Sequence, residues 1–264
     1  MSLDETQFHR YARHLILDEV GEEGQEKLLA ARVLVVGAGG LGSPLLMYLA
    51  AAGIGTLGVV DDDTVDLTNL QRQIVHSTAN VGMSKVKSAL LTLAGINPEI
   101  RVTPHGLRLD AANAAALIDE YDVVCDGSDN FATRFLLNDV CYFGRKPLVA
   151  ASLLRFEGQL STFKAYDGKT ACYRCLFREP PPRDLIPRCE EAGILGSVAG
   201  VLGTLQATEA IKEVLGLGRS LAGRLLIYDA LEGTTRAINV PRDPGCPLCG
   251  TTPTIRDLSG HASV

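Results

Sequence analysis

Short apolar runs alternate along the chain with longer stretches whose apolar residues recur at helical spacing, and the alternation persists through residue 151. Arg32-Val33-Leu34-Val35-Val36 is nearly all apolar, as a strand buried on both faces requires, and it leads straight into Gly37-Ala38-Gly39-Gly40-Leu41-Gly42. The pattern predicts a helix from there through Ala52 and a second buried strand, Leu57 to Val60, ending at Asp61. It continues with a helix over 83–94, a strand near 100–103, a helix over 111–119, a strand over 122–125, a helix over 131–143 and a strand over 147–151. Upstream, an amphipathic helix is expected to fill much of Glu5 to Ala30. Alternating strands and helices imply an α/β fold, a doubly wound and mostly parallel sheet with helices on both faces.

After about Ser152 the pattern changes. Gly158 to Phe163 alternates like an antiparallel strand, and Glu179-Pro180-Pro181-Pro182-Arg183 must be loop. Gly193 to Leu215 reads as a buried helix rich in small residues behind a glycine turn, and Leu225 to Tyr228 as another strand. The polar segment after Cys249, TTPTIRDLSGHASV, is expected to be a flexible tail.

Composition narrows the class. With 46% hydrophobic and 21% charged residues the chain is globular rather than disordered, and with no Trp its core must come mainly from Ala, Val, Leu and Ile. A formal charge of −6 lacks the basic footprint of a nucleic-acid binder. The polar start MSLDETQFHRYARH is not a secretory signal. Leu41 to Val60 is long and nearly charge-free, but Gly53-Ile54-Gly55 divides it into a buried helix, a turn and a buried strand rather than a membrane span. A cytoplasmic protein is expected, in which seven cysteines serve as metal ligands, catalytic thiols or core residues rather than disulfides.

Gly37, Gly39 and Gly42 form G-x-G-x-x-G between a strand and a helix, where glycine permits a tight turn and close backbone approach to a phosphate. The helix N-terminus adds N–H groups and positive potential, and Asp61, ending the next strand, can accept the ribose hydroxyls. Asn69, Arg72 and Lys85 follow the second strand, and Asp129 lies just past another strand, so all four converge on the crevice of the glycine loop. The cations can cradle a triphosphate, and the carboxylate can hold Mg²⁺. Cys172-x-x-Cys175 and Cys246-x-x-Cys249 supply four thiolates for a closed, structural Zn²⁺ site. Cys125 and Cys141 fall on buried elements and read as core thiols. Cys189, in Arg188-Cys189-Glu190-Glu191, is either a catalytic thiol or an idle exposed one, and its acidic neighbours would raise its pKa.

RYxRH (Arg10–His14), GAGGLG, DxDxVDLxNLQRQ (Asp61–Gln73), VGxxK ending at Lys85, CDGSDNxxxR (Cys125–Arg134) and the two CxxC pairs together resemble the ubiquitin-activating superfamily. The resemblance is strongest to bacterial molybdopterin-synthase adenylyltransferases and thiamine-biosynthesis sulfur-carrier adenylyltransferases, and it covers nearly the whole chain. It implies a single domain over 1–251, with a nucleotide-binding half at about 30–151, a carrier-binding and zinc half at about 152–251, and a tail at 252–264. It implies adenylation of the C-terminal Gly-Gly carboxylate of a ubiquitin-like sulfur carrier, in molybdenum-cofactor or thiamine biosynthesis, with ATP, Mg²⁺ and Zn²⁺. Gly40 and its neighbours would line the phosphates, Asp61 bind ribose, Asn69, Arg72 and Lys85 contact phosphates and Asp129 associate with magnesium. Arg13 would reach into the partner site of a homodimer, and Cys189 serves sulfur chemistry in the thiamine branch. With no sulfurtransferase domain after Cys249, sulfur is expected from a separate donor. Two alternatives use the same glycine loop: an NAD-dependent oxidoreductase, which leaves Asn69, Arg72, Lys85 and Asp129 without a task, and a non-catalytic zinc-stabilised nucleotide-binding module.

Overall fold

Consecutive residues of the first strand, β1 (Arg32–Val36), enter different cores: Val33 and Val35 join one apolar cluster, Leu34 and Val36 the other. A strand buried on both faces needs this, and it explains the unbroken apolar run. The computed structural model describes residues 3–180 and 193–261. Among these residues eight strands, numbered in chain order, form one sheet and lie across it in the order 3-2-1-4-5-6-7-8.

From β1 the chain passes through α4 (Gly42–Ala52) to β2 (Thr56–Val60), then α5 (Lys85–Ile96) and β3 (Arg101–His105). It returns to the other side of β1 as β4 (Val123–Asp126), reached through α6 (Ala114–Asp119), and continues through α7 (Phe131–Phe143) to β5 (Leu148–Leu154). These five strands are parallel. The strand order therefore reverses between β1 and β4, and the crevice expected at such a switch point lies at their carboxyl ends. β6 (Glu157–Phe163), β7 (Arg224–Asp229) and β8 (Thr234–Asn239) extend the sheet antiparallel, so the two halves of the chain share one continuous sheet. One face carries α4, α5 and the long helix Gly196–Leu215, and the other carries α6 and α7. Small residues let the long helix approach α4 closely: a Cβ at Gly203 would sit 2.3 Å from the Leu41 carbonyl oxygen. No described helix is long and apolar enough to cross a membrane.

Two sequence expectations are corrected, and one strand had no reading in the sequence. The single N-terminal helix is instead α1 (Glu5–Arg10), α2 (Ala12–Leu15) and α3 (Gly21–Ala30). Tyr11 leaves helical geometry and buries its ring, with its hydroxyl accepting from Asn97 Nδ2, and Gly21 enters α3 at φ +55°. β8 lacks any apolar alternation because all six residues are exposed, so its pairing with β7 is invisible in the pattern. The polar tail is also docked as far as it is described. Ile255 packs against the cysteine cluster, Leu258 against the α7 core, and His261 Nε2 lies 2.7 Å from Asp139 Oδ2.

Asp139, fully buried on α7, organises that end of the molecule. It accepts both Nε and Nη2 of Arg174, at 2.8 and 2.7 Å, and Nδ2 of Asn138 at 2.9 Å. Burial pushes its carboxyl up, but the hydrogen bonds from His261, Arg174 and Asn138 outweigh that and hold it below the usual carboxylate range. Arg174 belongs to α8 (Tyr173–Leu176), between Cys172 and Cys175. Removing one member of a buried ion pair costs about 3–5 kcal/mol, so Asp139→Ala should lower the urea unfolding midpoint markedly. An unchanged midpoint would show that Arg174 and His261 find other partners.

Candidate active site and metal centre

At the switch point, three glycines let backbone meet backbone. Gly37 adopts φ +97°, and a Cβ there would lie 2.8 Å from the Gly127 carbonyl oxygen. A Cβ at Gly42 would lie 1.8 Å from the Gly37 carbonyl oxygen. The loops after β1 and β4 are thereby locked together at the first turn of α4, whose leading N–H groups face the crevice with the positive end of the helix dipole.

Asp61, the residue after β2, accepts the Ala38 N–H at Oδ2 (2.8 Å) and the Asp63 N–H at Oδ1 (2.9 Å). Burial pushes its carboxyl above the usual range, against the pull of Lys85 and these two N–H groups. Lys85 opens α5 with a buried stem and places Nζ 2.9 Å from Asp63 Oδ2. The turn from Asp66 to Gln73 begins at an Asp66 carboxylate that accepts the Thr68 N–H, and the Asn69 carbonyl accepts the N–H groups of Arg72 and Gln73. This turn folds Arg72 back so that Cγ and Cδ lie 3.4 and 3.6 Å from the direction of a Cβ at Gly40. The first turn of the long helix closes over both: the Cβ direction of Gly196 meets the Gln71 carbonyl oxygen, and that of Gly40 meets Ala199.

Asp129 stands exposed at the end of the β4–α7 loop, beside Asn130, whose side chain caps α7 by accepting the Thr133 N–H. The loop is braced by buried Asp126, which accepts the Ser128 N–H and hydroxyl, and by Arg134, which donates to the Ser128 carbonyl.

Contacts gather Gly37, Gly39, Gly40, Gly42, Asp61, Arg72 and Lys85 at the carboxyl ends of the central strands, with Asn69 on the turn before Arg72 and Asp129 exposed on the loop after β4. They do not bring Arg13 there. Tyr11 packs on Gly53, and His14 contacts Gln25, which donates to the Ala52 carbonyl; both mark the far end of α4. With 11 residues, α4 holds that end ~16 Å from the glycine loop at about 1.5 Å per residue. Cys189 lies outside the described residues. Cys125 and Cys141 are buried free thiols, and burial pushes both pKa values well up, as core positions require.

Motif reading gave no role to three residues here. Asp63 holds Lys85, as described. Gln73 is buried beside Gly39, and its Oε1 has no hydrogen-bond partner among the described residues, a demand that a donor on a ligand would satisfy. His76 is buried against Ala38 and Ser88. Gln73 and His76 follow Arg72 on the same turn, and that adjacency was the available signal.

Away from the crevice, the sulfurs of Cys172, Cys175, Cys246 and Cys249 all lie within 4.8 Å of one another. Three of the separations are 3.9, 3.5 and 3.4 Å. Metal–sulfur bonds of ~2.3 Å in a tetrahedron set sulfurs about 3.8 Å apart, so the cluster fits such an ion. It is the one group of this kind among the described residues.

Comparison with known proteins agrees with this arrangement. A model of the ThiF family matches residues 11–248. The chain is 51% identical over 248 residues to "Probable adenylyltransferase/sulfurtransferase MoeZ" of Mycobacterium tuberculosis, covering 93% of this chain and 63% of MoeZ. It is 48% identical over 252 residues to the "Sulfur carrier protein adenylyltransferase" of Thermus thermophilus, covering 94% of this chain and 93% of that protein. It thus spans less than two thirds of MoeZ but nearly all of the Thermus relative. Among solved structures, E. coli MccB shares the fold with a TM-score of 0.78 at 25% identity, over 96% of this chain and 74% of that one.

Proposed function

The chain belongs to the ThiF family, and from that premise we propose that it is an ATP-dependent adenylyltransferase acting on the C-terminal glycine carboxylate of a ubiquitin-like sulfur-carrier protein. One observation carries the reading: the glycine loop, Asp61, Arg72 and Lys85 converge at the switch point in a chain nearly as long as a relative named for this activity. Hydride transfer to NAD would leave the cations there without a task.

A carrier carboxylate oxygen attacks the α-phosphorus of ATP, the new O–P bond forms, and the bond to the bridging oxygen breaks as pyrophosphate leaves with that electron pair. A carboxylate is already a nucleophile, so the protein needs no general base and acts by positioning and charge stabilisation. Asp61 receives the ribose, while the glycine loop, Asn69 and Arg72 receive the phosphates. Lys85 must share its Asp63 partner with a phosphate oxygen, which makes Asp63 the group that holds the ammonium in place before nucleotide arrives. Asp129, exposed on the loop after β4, would hold Mg²⁺, which would supply charge neutralisation at the phosphates. Labelled pyrophosphate should exchange into ATP only with a carrier whose terminal glycine is intact. Arg72→Ala and Asp129→Ala should each reduce exchange by about 10²-fold or more while the fold survives. Carrier-independent exchange, or none with any carrier, refutes the reading. Running the assay with molybdopterin-type and thiamine-type carriers separately identifies the pathway.

The remoteness of Arg13 from its own crevice supports a homodimer in which it serves the partner's site. Inactive Arg13→Ala and Asp129→Ala chains mixed as heterodimers should regain activity, since one of the two sites then draws both residues from unmutated copies. Heterodimers that stay inactive would exclude the arrangement. The cytoplasm as its compartment and, in a thiamine-type pathway, a thiol role for Cys189 in sulfur chemistry complete the proposal.

The donor set of four thiolates points to zinc as the ion of the cysteine cluster. With all four positions filled by protein, the ion would clamp the segment around Cys246 and Cys249 to α8. One zinc per chain is the expected elemental analysis, and Cys249→Ser should lower the unfolding temperature before it alters exchange. Protein never exposed to chelator and free of zinc would contradict this.

A further inference from the structure

Each of the peptide units around Ala38 and Gly39 is held by one side chain. Asp61 accepts the Ala38 N–H, His76 Nε2 lies 2.9 Å from the Ala38 carbonyl oxygen, and Ser43 donates its N–H and hydroxyl to the Gly39 carbonyl at 2.9 and 2.7 Å. A carbonyl only accepts, so the proton of the neutral His76 ring sits on Nε2. Nδ1 then accepts from Ser88 Oγ at 2.9 Å, and that hydroxyl in turn accepts from Asn80 Nδ2 at 2.9 Å. The relay Asn80, Ser88, His76, Ala38 thus has one direction and leaves no ring nitrogen unpaired. Burial holds the imidazole pKa below its ordinary value, with Lys85 adding to the effect against the Ala38 carbonyl and Asp61.

In a trans peptide the carbonyl and the following N–H point in opposite directions. Holding the Ala38 carbonyl against buried His76 therefore turns the Gly39 N–H away from the interior. Glycine at 39 makes a flip of this unit sterically cheap, and a flip would point the carbonyl oxygen where phosphate should lie. Ser88 sits on α5 one turn after Lys85, so the same ring joins the glycine loop to the helix carrying that lysine.

We propose that His76 is a positioning residue for the nucleotide: it locks the Ala38–Gly39 peptide so that the Gly39 N–H is presented to a phosphate. The inference rests on the ATP reading above. The experiment measures Mg²⁺–ATP affinity by calorimetry, KM for ATP, KM for the carrier and unfolding temperature in His76→Leu and His76→Gln. Leucine leaves the buried carbonyl unpaired, and both Kd and KM for ATP should rise about tenfold, with KM for the carrier unchanged. Glutamine, whose Nε2 reaches the same carbonyl, should restore ATP binding to within about threefold of wild type. A folded His76→Leu protein that binds ATP like wild type overturns the proposal, as does a glutamine variant as impaired as leucine. Should the wild type show no carrier-dependent exchange while ATP affinity still follows this pattern, the adenylation reading fails and the assignment of His76 stands.

Discussion

Gly37, Gly42 and Gly127 bring three pieces of backbone together where the strand order reverses, and a Cβ at Gly37 or Gly42 would collide with backbone there. The rest of the crevice depends on that contact. It sets the loop after β1 against the loop after β4, aligns the first turn of α4 with their ends, and leaves the Ala38 N–H directed at Asp61. Side chains then complete what the backbone begins. Arg72 lies over Gly40, and Ala199, in the first turn of the long helix, packs against the same glycine. A catalyst that works by positioning and charge needs this kind of rigidity, because its donors must be aimed before the reacting charge develops.

Helix α7 connects this crevice to the cysteine cluster. Asn130 caps its N-terminus beside Asp129, Asp139 in its middle grips Arg174 and His261, and Tyr142 near its end packs on the cysteines. The cluster and the docked C-terminal segment therefore support the helix that follows the β4–α7 loop. They contribute to the site by holding an element in place, without touching the reacting groups.

Legibility in the sequence followed burial. The two-sided apolar run of β1 and the helix over Phe131–Phe143 were readable because their surroundings are wholly or partly apolar, and the glycine loop because its steric demand excludes other residues. β8 was not readable, since an exposed edge strand is held by backbone pairing to β7 and carries no apolar code. The docked tail escaped for a related reason: it is attached by a few scattered residues, Ile255, Leu258 and His261, in a polar stretch. Within the site, Arg72, Lys85 and Asp61 stood out by charge and place. Asp63, Gln73 and His76 did not, because their roles come from contacts with residues distant in sequence, Ala38 and Lys85 among them.

The proposed function requires Mg²⁺–ATP in this crevice, with the ribose on Asp61 and the phosphates on the glycine loop. A crystal structure with a non-hydrolysable ATP analogue tests it most directly. The expected complex has ribose hydroxyls within hydrogen-bond distance of the Asp61 carboxylate, phosphate oxygens on the Gly39 N–H and the Arg72 guanidinium, and Lys85 Nζ shared between Asp63 and a phosphate. A nucleotide seated elsewhere, or one whose phosphates avoid the glycine loop, would contradict it.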